Sequence, residues 1–206
     1  LSYIILRARC RYCKEKISFL YFVVELLTGL IFLFFYLYFG FSVEYFVYTA
    51  LTASLIVVSF IDLKIQEIPD EISLPGMVIG VILCAIFPQL MQQEDRVYGF
   101  LHSLLGLFTG GGLIYIMGVI GKAAFKKEAM GGGDVKLMAM LGAFLGWKLI
   151  ILAFFLAPFF GSFVGIAAKI KNKEDIIPYG PHLSIASIVA LLWGDKILNF
   201  IFVTRL

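Results

Sequence analysis

Apolar residues form long and nearly unbroken runs along this chain, separated by short polar stretches. Six of the runs have about the 20 residues that an α-helix needs to cross the apolar layer of a bilayer. They lie at Phe19–Phe39, 43–61, 73–91, 98–120, 149–168 and 183–203, and a seventh, shorter run lies at 135–146. The pattern predicts an all-α, polytopic membrane helix bundle with about seven membrane segments, one of them short.

The short run has distinctive flanks. It follows three consecutive glycines, Gly131 to Gly133, and ends before Trp147 and Lys148. A tryptophan beside a lysine is typical of a membrane interface, and a helix too short to span needs protein around its ends. We therefore expect a membrane-embedded half-helix that begins at a glycine hinge.

Composition excludes several classes of protein. Of the 206 residues, 61% are hydrophobic and only 15% are charged. A soluble domain of this size could not bury so much apolar surface in one core. Soluble enzymes, nucleic-acid-binding modules and disordered regulators are excluded, and the lipid bilayer is the expected partner.

Positive charges predict the orientation. With the N-terminus in the cytoplasm, 13 of the 17 lysines and arginines fall on the cytoplasmic side, as positively charged loops usually do. Three polar loops, 62–72, 121–134 and 169–182, then share that face. We expect a cytoplasmic basic segment at residues 1–18 and a membrane-embedded domain at 19–206, with no signal peptide before the first span.

Two acids stand at the ends of predicted spans, at the same predicted depth. Asp62 closes the second span, and Asp134 opens the short one. Ionisable residues in membrane segments are costly and commonly functional. If the carboxyls meet, they share one proton, so the ionised one can accept a proton from water while the protonated one polarises a carbonyl. This arrangement predicts a metal-free aspartic protease.

The glycines before Asp134 permit positive φ and a close approach by another chain. An extended substrate would use the exposed backbone of Gly131 and Gly133, and Lys136 is either a substrate contact or an ordinary positive-inside residue. A flexible loop that merely joins two helices is the simpler alternative. Asp70, which follows Pro69, is expected to cap the third helix.

Two other functions remain open at this point. Asp62, Asp70 and Asp134 together would suit a magnesium ion in the transfer of a lipid-linked phosphate. The acid pair would also suit a proton-coupled carrier, although that class favours acids near the midplane and repeated halves.

The motifs resemble those of the type IV prepilin peptidases, which are intramembrane aspartyl proteases. The resemblance covers nearly the whole chain in order. It rests on Gly131-x-Gly133-Asp134, on Asp62 followed by Ile68-Pro69-Asp70, on Arg9-Cys10-Arg11-Tyr12-Cys13 with Val24-Glu25-Leu26-Leu27-Thr28-Gly29, and on Ile177-Pro178-Tyr179-Gly180-Pro181.

The resemblance implies a bacterial inner-membrane enzyme that cleaves the leader of type IV prepilins or pseudopilins on the cytoplasmic side. Asp62 and Asp134 would be the catalytic acids, with no cofactor for proteolysis. In many members the same protein then methylates the new N-terminus with S-adenosylmethionine. The family generally carries two Cys-x-x-Cys pairs that look able to hold zinc, and only Cys10 and Cys13 are present here. Since a closed zinc site takes four ligands, we expect the second pair in residues upstream of Leu1; the alternative is that this protein works without the metal.

Overall fold

The computed structural model describes residues 3, 6, 8–126, 130–170 and 178–203. Residues 127–129 and 171–177, which belong to two of the predicted polar loops, lie outside the described residues. Six long helices are described: α1 Phe19–Phe39, α2 Val43–Ile65, α3 Asp70–Ile86, α4 Arg96–Phe125, α5 Gly132–Ile170 and α6 Gly180–Val203. The predicted all-α class is confirmed.

Five of these helices are long and apolar enough to cross a membrane, so the chain is a multi-pass membrane protein. The helix α3 has 17 residues, slightly fewer than a span usually requires. The prediction of about seven membrane segments is therefore not confirmed. The boundaries of α1 follow directly from the sequence: the Ser18 hydroxyl accepts the N–H of Leu20, and Gly40 ends the helix with φ +65°.

The helix α5 is interrupted at Gly146, where φ is +75° and ψ is 171°. This backbone conformation is essentially restricted to glycine. A Cβ built on Gly110 of α4 would lie against the carbonyl oxygen of Met138 and 3.0 Å from Cγ1 of Ile150. In a straight helix residues 138 and 150 would be about 18 Å apart, so α5 bends back sharply at Gly146. The predicted end of the short segment at this glycine matches the bend.

The bend is tied to its neighbours by polar contacts. The carbonyl oxygen of Ala143, shortly before the bend, accepts a hydrogen bond from Ser103 Oγ at 2.7 Å. Cys84 Sγ donates to the same oxygen at 3.5 Å. A helix break leaves backbone carbonyls without partners inside the helix, and buried ones must find others. The side chains of α3 and α4 supply them here.

The chain divides into two compact units, Leu1–Ile56 and Val57–Leu206, with the boundary inside α2. In the first unit, residues 9–16 form a turn that is closed by a bridge between Arg9 and Lys16. The second unit contains α3 to α6 and the end of α2. Its core lies around α5, which contributes the buried side chains of Leu137, Met138, Met140, Leu141, Phe144, Ile150 and Ala153. The predicted division at residue 18 stays a prediction.

Glycines allow two helices of the second unit, α4 and α5, to pack with their backbones in contact. A Cβ on Gly106 of α4 would collide with the carbonyl oxygen of Gly142 in α5, and a Cβ on Gly142 would collide with that of Gly106. One helical turn further along α4, Gly110 approaches the backbone of Met138 equally closely. Small residues allow such backbone contact between membrane helices. They bring α4 and the first half of α5 together.

Candidate active site

Asp62 lies in the last turn of α2, and only 5% of its surface is exposed. The C-terminus of a helix is its negative end, where a carboxylate is disfavoured by about 0.3–1 kcal/mol. The backbone N–H of Gly180, the first residue of α6, donates to Asp62 Oδ2 at 2.8 Å. This N–H has no acceptor within α6, because the first amides of any helix lack one. The carboxylate thus caps a helix that begins far away in the chain.

Asp134 is the third residue of α5, and its carboxylate accepts the N–H of Gly131 at 3.2 Å. A carboxylate that reaches back from the third helical position to the amide before the helix forms half of a capping box. It also lies at the positive end of its own helix dipole. Gly131 donates this bond from the position just before α5, where glycine is well tolerated.

The structure brings the two acids together. Asp62 and Asp134 line the same cavity of about 570 Å³, and their carboxyls are close enough to interact electrostatically. The cavity is also lined by Gly131, Gly132 and Gly133 and by the segment 66–71. Its acidic lining residues are Asp62, Glu67, Asp70, Glu71 and Asp134. None of the described residues that line this cavity is a lysine or an arginine, and the ammonium of Lys136 reaches its edge only through Asp70.

The start of α6 adds two residues that the sequence did not predict as site residues. Tyr179 lies near Asp134, and His182 near Asp62. Burial, and then the charge of Asp134, raises the pKa of Tyr179 to about 12, so its hydroxyl keeps its proton and remains a donor. His182 is 6% exposed. The turn at Pro178 to Pro181 was visible in the sequence, but its closeness to the acids depends on the packing of α6.

The role of the glycines differs from the expectation. The positive φ values among the described glycines occur at Gly40 and Gly146 and not at Gly131 to Gly133. A Cβ on Gly133 would lie 2.9 Å from Cβ of Ile68, closer than real Cβ atoms approach. Gly133 is therefore needed for the close contact between α5 and the loop after α2. Contact of Gly131 and Gly133 with a substrate stays a prediction.

Asp70 and Lys136 form an ion pair. The ammonium of Lys136 donates to both carboxylate oxygens of Asp70, at 2.7 and 2.6 Å. The prediction that Asp70 caps α3 is wrong: Pro69 occupies the cap position without a side-chain bond, and Asp70 begins the helix. The opposite charge of Lys136, two residues after Asp134, draws the carboxylate toward α5 instead. A substrate contact by Lys136 stays a prediction.

The cysteine pair is a turn with two free thiols. The backbone N–H groups of Cys13 and then Tyr12 lower the pKa of the Cys10 thiol, which favours the thiolate that binds metals. Zinc would require two more ligands, and the described residues contain no group of three or more His, Cys, Asp or Glu side chains that could hold a metal ion. The residues present therefore do not fit a closed zinc site, and the predicted site at Cys10 and Cys13 is not supported.

Comparison of the sequence with known proteins identifies a family. A model of the type IV leader peptidase family matches residues 49–166, which include both acids. A model of the bacterial peptidase A24 N-terminal domain matches residues 1–39. The chain belongs to the type IV leader peptidase family. The resemblance found in the motifs is confirmed.

Relatives in this family are similar over nearly all of the chain. Proteins named prepilin leader peptidase/N-methyltransferase are 38% identical in Pseudomonas putida, 36% in Pseudomonas aeruginosa and 32% in Bacillus subtilis, over 96%, 95% and 97% of this chain. The alignments cover 67%, 66% and 77% of those relatives. The chain thus spans about two thirds of the length of the Pseudomonas proteins. No solved structure matches it significantly.

The two other functions gain no support. Asp62, Asp70 and Asp134 do not form a cluster of metal ligands among the described residues, and the carboxylate of Asp70 is already bound by Lys136. A proton-coupled carrier would hold its acids near the middle of the spans. The acids of this chain lie at helix ends instead. The relatives carry peptidase names.

Proposed function

We propose that this chain is a membrane aspartyl endopeptidase that cleaves the leader peptide from type IV prepilins or pseudopilins. The observation that carries the proposal is the meeting of Asp62 and Asp134 in one cavity at the ends of membrane helices. The names of the relatives, prepilin leader peptidase/N-methyltransferase, supply the substrate class.

The chemistry follows from the pair. Two carboxyls within interaction range share one proton more readily than they both ionise. The ionised carboxylate accepts a proton from a water molecule, and the oxygen of that water attacks the scissile carbonyl carbon. The protonated carboxyl donates a hydrogen bond to the carbonyl oxygen, where negative charge develops. Collapse of the tetrahedral intermediate breaks the C–N bond, and a proton passes to the leaving amine.

Each acid has a distinct support in this scheme. Gly180 donates to one oxygen of Asp62, and Gly131 to one oxygen of Asp134. The other oxygen of each carboxyl is then available for water or substrate. Carboxylates held by backbone donors keep their orientation without extra side chains. The Tyr179 hydroxyl, which stays protonated, is a further donor beside Asp134.

The location of the enzyme follows from charge. We infer that the chain lies in the bacterial inner membrane with the acids at the cytoplasmic border, because this orientation places most lysines and arginines on the cytoplasmic side. The bilayer is then its immediate environment, and nucleic acid has no part in the activity.

Methylation is the second activity in the relatives' names. When bound, S-adenosylmethionine would supply the methyl group for the amine that cleavage exposes. No described residue is assigned to it, and proteolysis by Asp62 and Asp134 does not require it.

The test is leader removal in proteoliposomes. The wild type should cleave a prepilin, and Asp62→Ala and Asp134→Ala should each lose about 10²–10⁴-fold in rate, the range for loss of a general acid or base. Asp70→Ala should retain cleavage, because Asp70 pairs with Lys136 outside the dyad. Added chelator should leave the wild-type rate unchanged.

Two results would contradict the proposal. Retained cleavage in Asp134→Ala would exclude the dyad. Loss of cleavage in Asp70→Ala together with survival in Asp62→Ala would move the first catalytic role from Asp62 to Asp70.

A further inference from the structure

An apolar groove lies directly beside the candidate active site. It has a volume of about 360 Å³ and runs between the C-terminal part of α4 and the beginning of α5. From α4 it is lined by Ile114, Tyr115, Gly118 and Val119 and, one turn further, by Lys122. These positions recur at the spacing of one helical face. We define them, with Val135 of α5, as the α4–α5 groove.

The groove exists because two helices that touch at one end separate at the other. At Gly106 and Gly110 the backbones of α4 and α5 are in direct contact. A Cβ on Gly111 would still lie 3.2 Å from Cβ of Ala139, whereas a Cβ on Gly118 would meet only Cβ of Met130, at 3.7 Å. The helices are thus held together on one side of Gly111 and diverge toward Gly118.

The groove is continuous with the catalytic cavity. Gly131 and Gly132 line both. On one side of these glycines lie the carboxyls of Asp62 and Asp134, and on the other lie mainly apolar side chains, with Lys122 as the charged exception. Tyr115 and Val119 are 63% and 52% exposed, while Ile114 at the floor is fully buried. A chain that crosses Gly131 and Gly132 therefore passes from an acidic, polar space into an apolar one within a few residues.

This junction determines what kind of occupant fits. A peptide bond held between the acids lies at the border of the membrane, since both acids are at the ends of apolar helices. The part of the substrate on the membrane side must be apolar, and it must be helical because unpaired backbone groups are not tolerated in lipid. The part held between the acids must be extended, because only an extended peptide exposes its backbone to the enzyme.

Resting on the function proposed above, we propose that the α4–α5 groove binds the apolar helix of the substrate, the segment that follows the scissile bond. The helix would enter sideways from the bilayer, with one apolar side chain placed over Gly118. Its first residues would unwind across Gly131 and Gly132 to reach the acids. A groove with this role sets the register of cleavage relative to the start of the substrate's helix.

The test fills the groove with a side chain. Gly118→Leu adds a large apolar group at a position where a Cβ meets only an ordinary contact, so the fold should tolerate it. Gly112→Leu is the matched control, because it lies on the same helix outside the groove and a Cβ there meets nothing within 4 Å. Both variants and the wild type are assayed in proteoliposomes with two substrates: a prepilin with its apolar helix, and a short leader peptide that ends a few residues after the scissile bond.

We expect Gly118→Leu to raise KM for the prepilin about tenfold, the cost of losing the burial of one large apolar side chain. It should leave cleavage of the short peptide unchanged, and Gly112→Leu should leave both unchanged. Equal effects of Gly118→Leu on the two substrates, or no effect on either, would contradict the proposal that the groove binds the apolar helix of the substrate. If the wild type cleaves neither substrate, the proposed function fails instead, so the two failures are distinguishable.

A second measurement does not depend on filling the groove. A photo-crosslinking phenylalanine analogue at position 115, in a chain that carries Asp134→Asn to hold the substrate uncleaved, should form a covalent bond to the apolar helix of the prepilin. The same analogue at position 105, an exposed leucine of α4 outside the groove, should react mainly with lipid. Crosslinks from position 115 to lipid alone, or to a second copy of the chain, would contradict the proposal.

Discussion

The C-terminal end of α2 and the N-terminal end of α5 each present one acid to the same cavity. The dipole of the acid's own helix disfavours the charge in α2 and favours it in α5. Asp134 is at the positive end of its own helix and caps it locally through Gly131. Asp62 is at the negative end of its helix, nearly fully buried, and it depends on Gly180 of another helix. The Asp134 charge therefore stabilises the helix that carries it, whereas the cap that Asp62 gives to α6 is opposed by the negative end of α2.

This difference bears on how far the fold alone explains each acid. Asp134 alone is equally compatible with a simple helix cap, the alternative that the sequence leaves open. Asp62 is harder to explain in this way, because the negative end of its own helix disfavours a charge there, while burial and an acidic neighbour act on both acids. Costly local arrangements of this kind concentrate at functional sites. Three experiments test the contrast between the two ends.

The largest expected effect concerns the backbone donors. A Cβ on Gly180 would lie 2.7 Å from Asp62 Oδ2, whereas a Cβ on Gly131 would lie at an ordinary 3.5 Å from Asp134 Oδ2. Gly180→Ala must therefore displace the carboxylate of Asp62, and we expect a loss of about 100-fold in kcat, as for other misplaced catalytic groups. Gly131→Ala should lose much less. Prepilin cleavage measures both, and thermal unfolding confirms that the variants are folded.

Comparable losses in these two alanine variants would mean that the two acids are held in the same way. The contrast drawn between the ends of α2 and α5 would then be wrong.

The second effect is on stability. Replacement of either acid by asparagine removes their mutual repulsion, but only Asp134→Asn gives up a favourable charge at the start of its own helix. We expect the free energy of unfolding of Asp62→Asn to exceed that of Asp134→Asn by about 1 kcal/mol. Chemical unfolding in detergent measures the difference. Asp95→Asn is the control: Asp95 caps α4 through the N–H of Val97, and asparagine keeps the capping bond but loses the charge, so this change should cost only the charge–dipole energy of about 0.3–1 kcal/mol.

A lower stability for Asp62→Asn than for Asp134→Asn would show that the start of α6 and His182 stabilise the Asp62 charge by more than the end of α2 disfavours it.

The smallest effect concerns the ion pair between Asp70 and Lys136, which links the starts of α3 and α5. Half of the Asp70 side chain and 39% of that of Lys136 are exposed, and such pairs contribute about 0.2–1 kcal/mol. A double-mutant cycle with Asp70→Asn and Lys136→Gln should give a coupling in this range. The cleavage rate of Asp70→Asn should stay close to that of the wild type. A coupling of several kcal/mol would mean that the start of α5 depends on this pair for its position.

Much of the architecture could be predicted because a membrane helix is encoded by one contiguous run of apolar residues. The apolar run at Phe19–Phe39 matches α1 without change, and the predicted end of the short segment at Gly146 is where α5 bends. The number of spans was less predictable. The apolar pattern of residues 73–91 continues past the end of α3 through a 3-10 helix at Pro88–Met91. A hydropathy pattern cannot locate the end of an α-helix when the residues after it are also apolar.

The candidate site was predictable in its acids and unpredictable in their partners. Asp62 and Asp134 could be singled out because a carboxylate at the end of an apolar run is costly wherever the helix is placed. The partner of Asp70 could not be foreseen. Its position before an apolar run predicts a helix cap. The carboxylate instead accepts hydrogen bonds from Lys136, which lies far away in the sequence.

The sequence by itself therefore determined that the chain is helical, that it lies in a membrane, and that two acids stand at helix ends, because each of these properties depends on residues close together in the chain. Only the tertiary structure decided that Gly180 donates to Asp62, that Tyr179 and His182 border the acids, and that α4 and α5 separate beside Gly118. Those features depend on contacts between distant segments, which form only when the glycines of α4 and α5 let the helices pack.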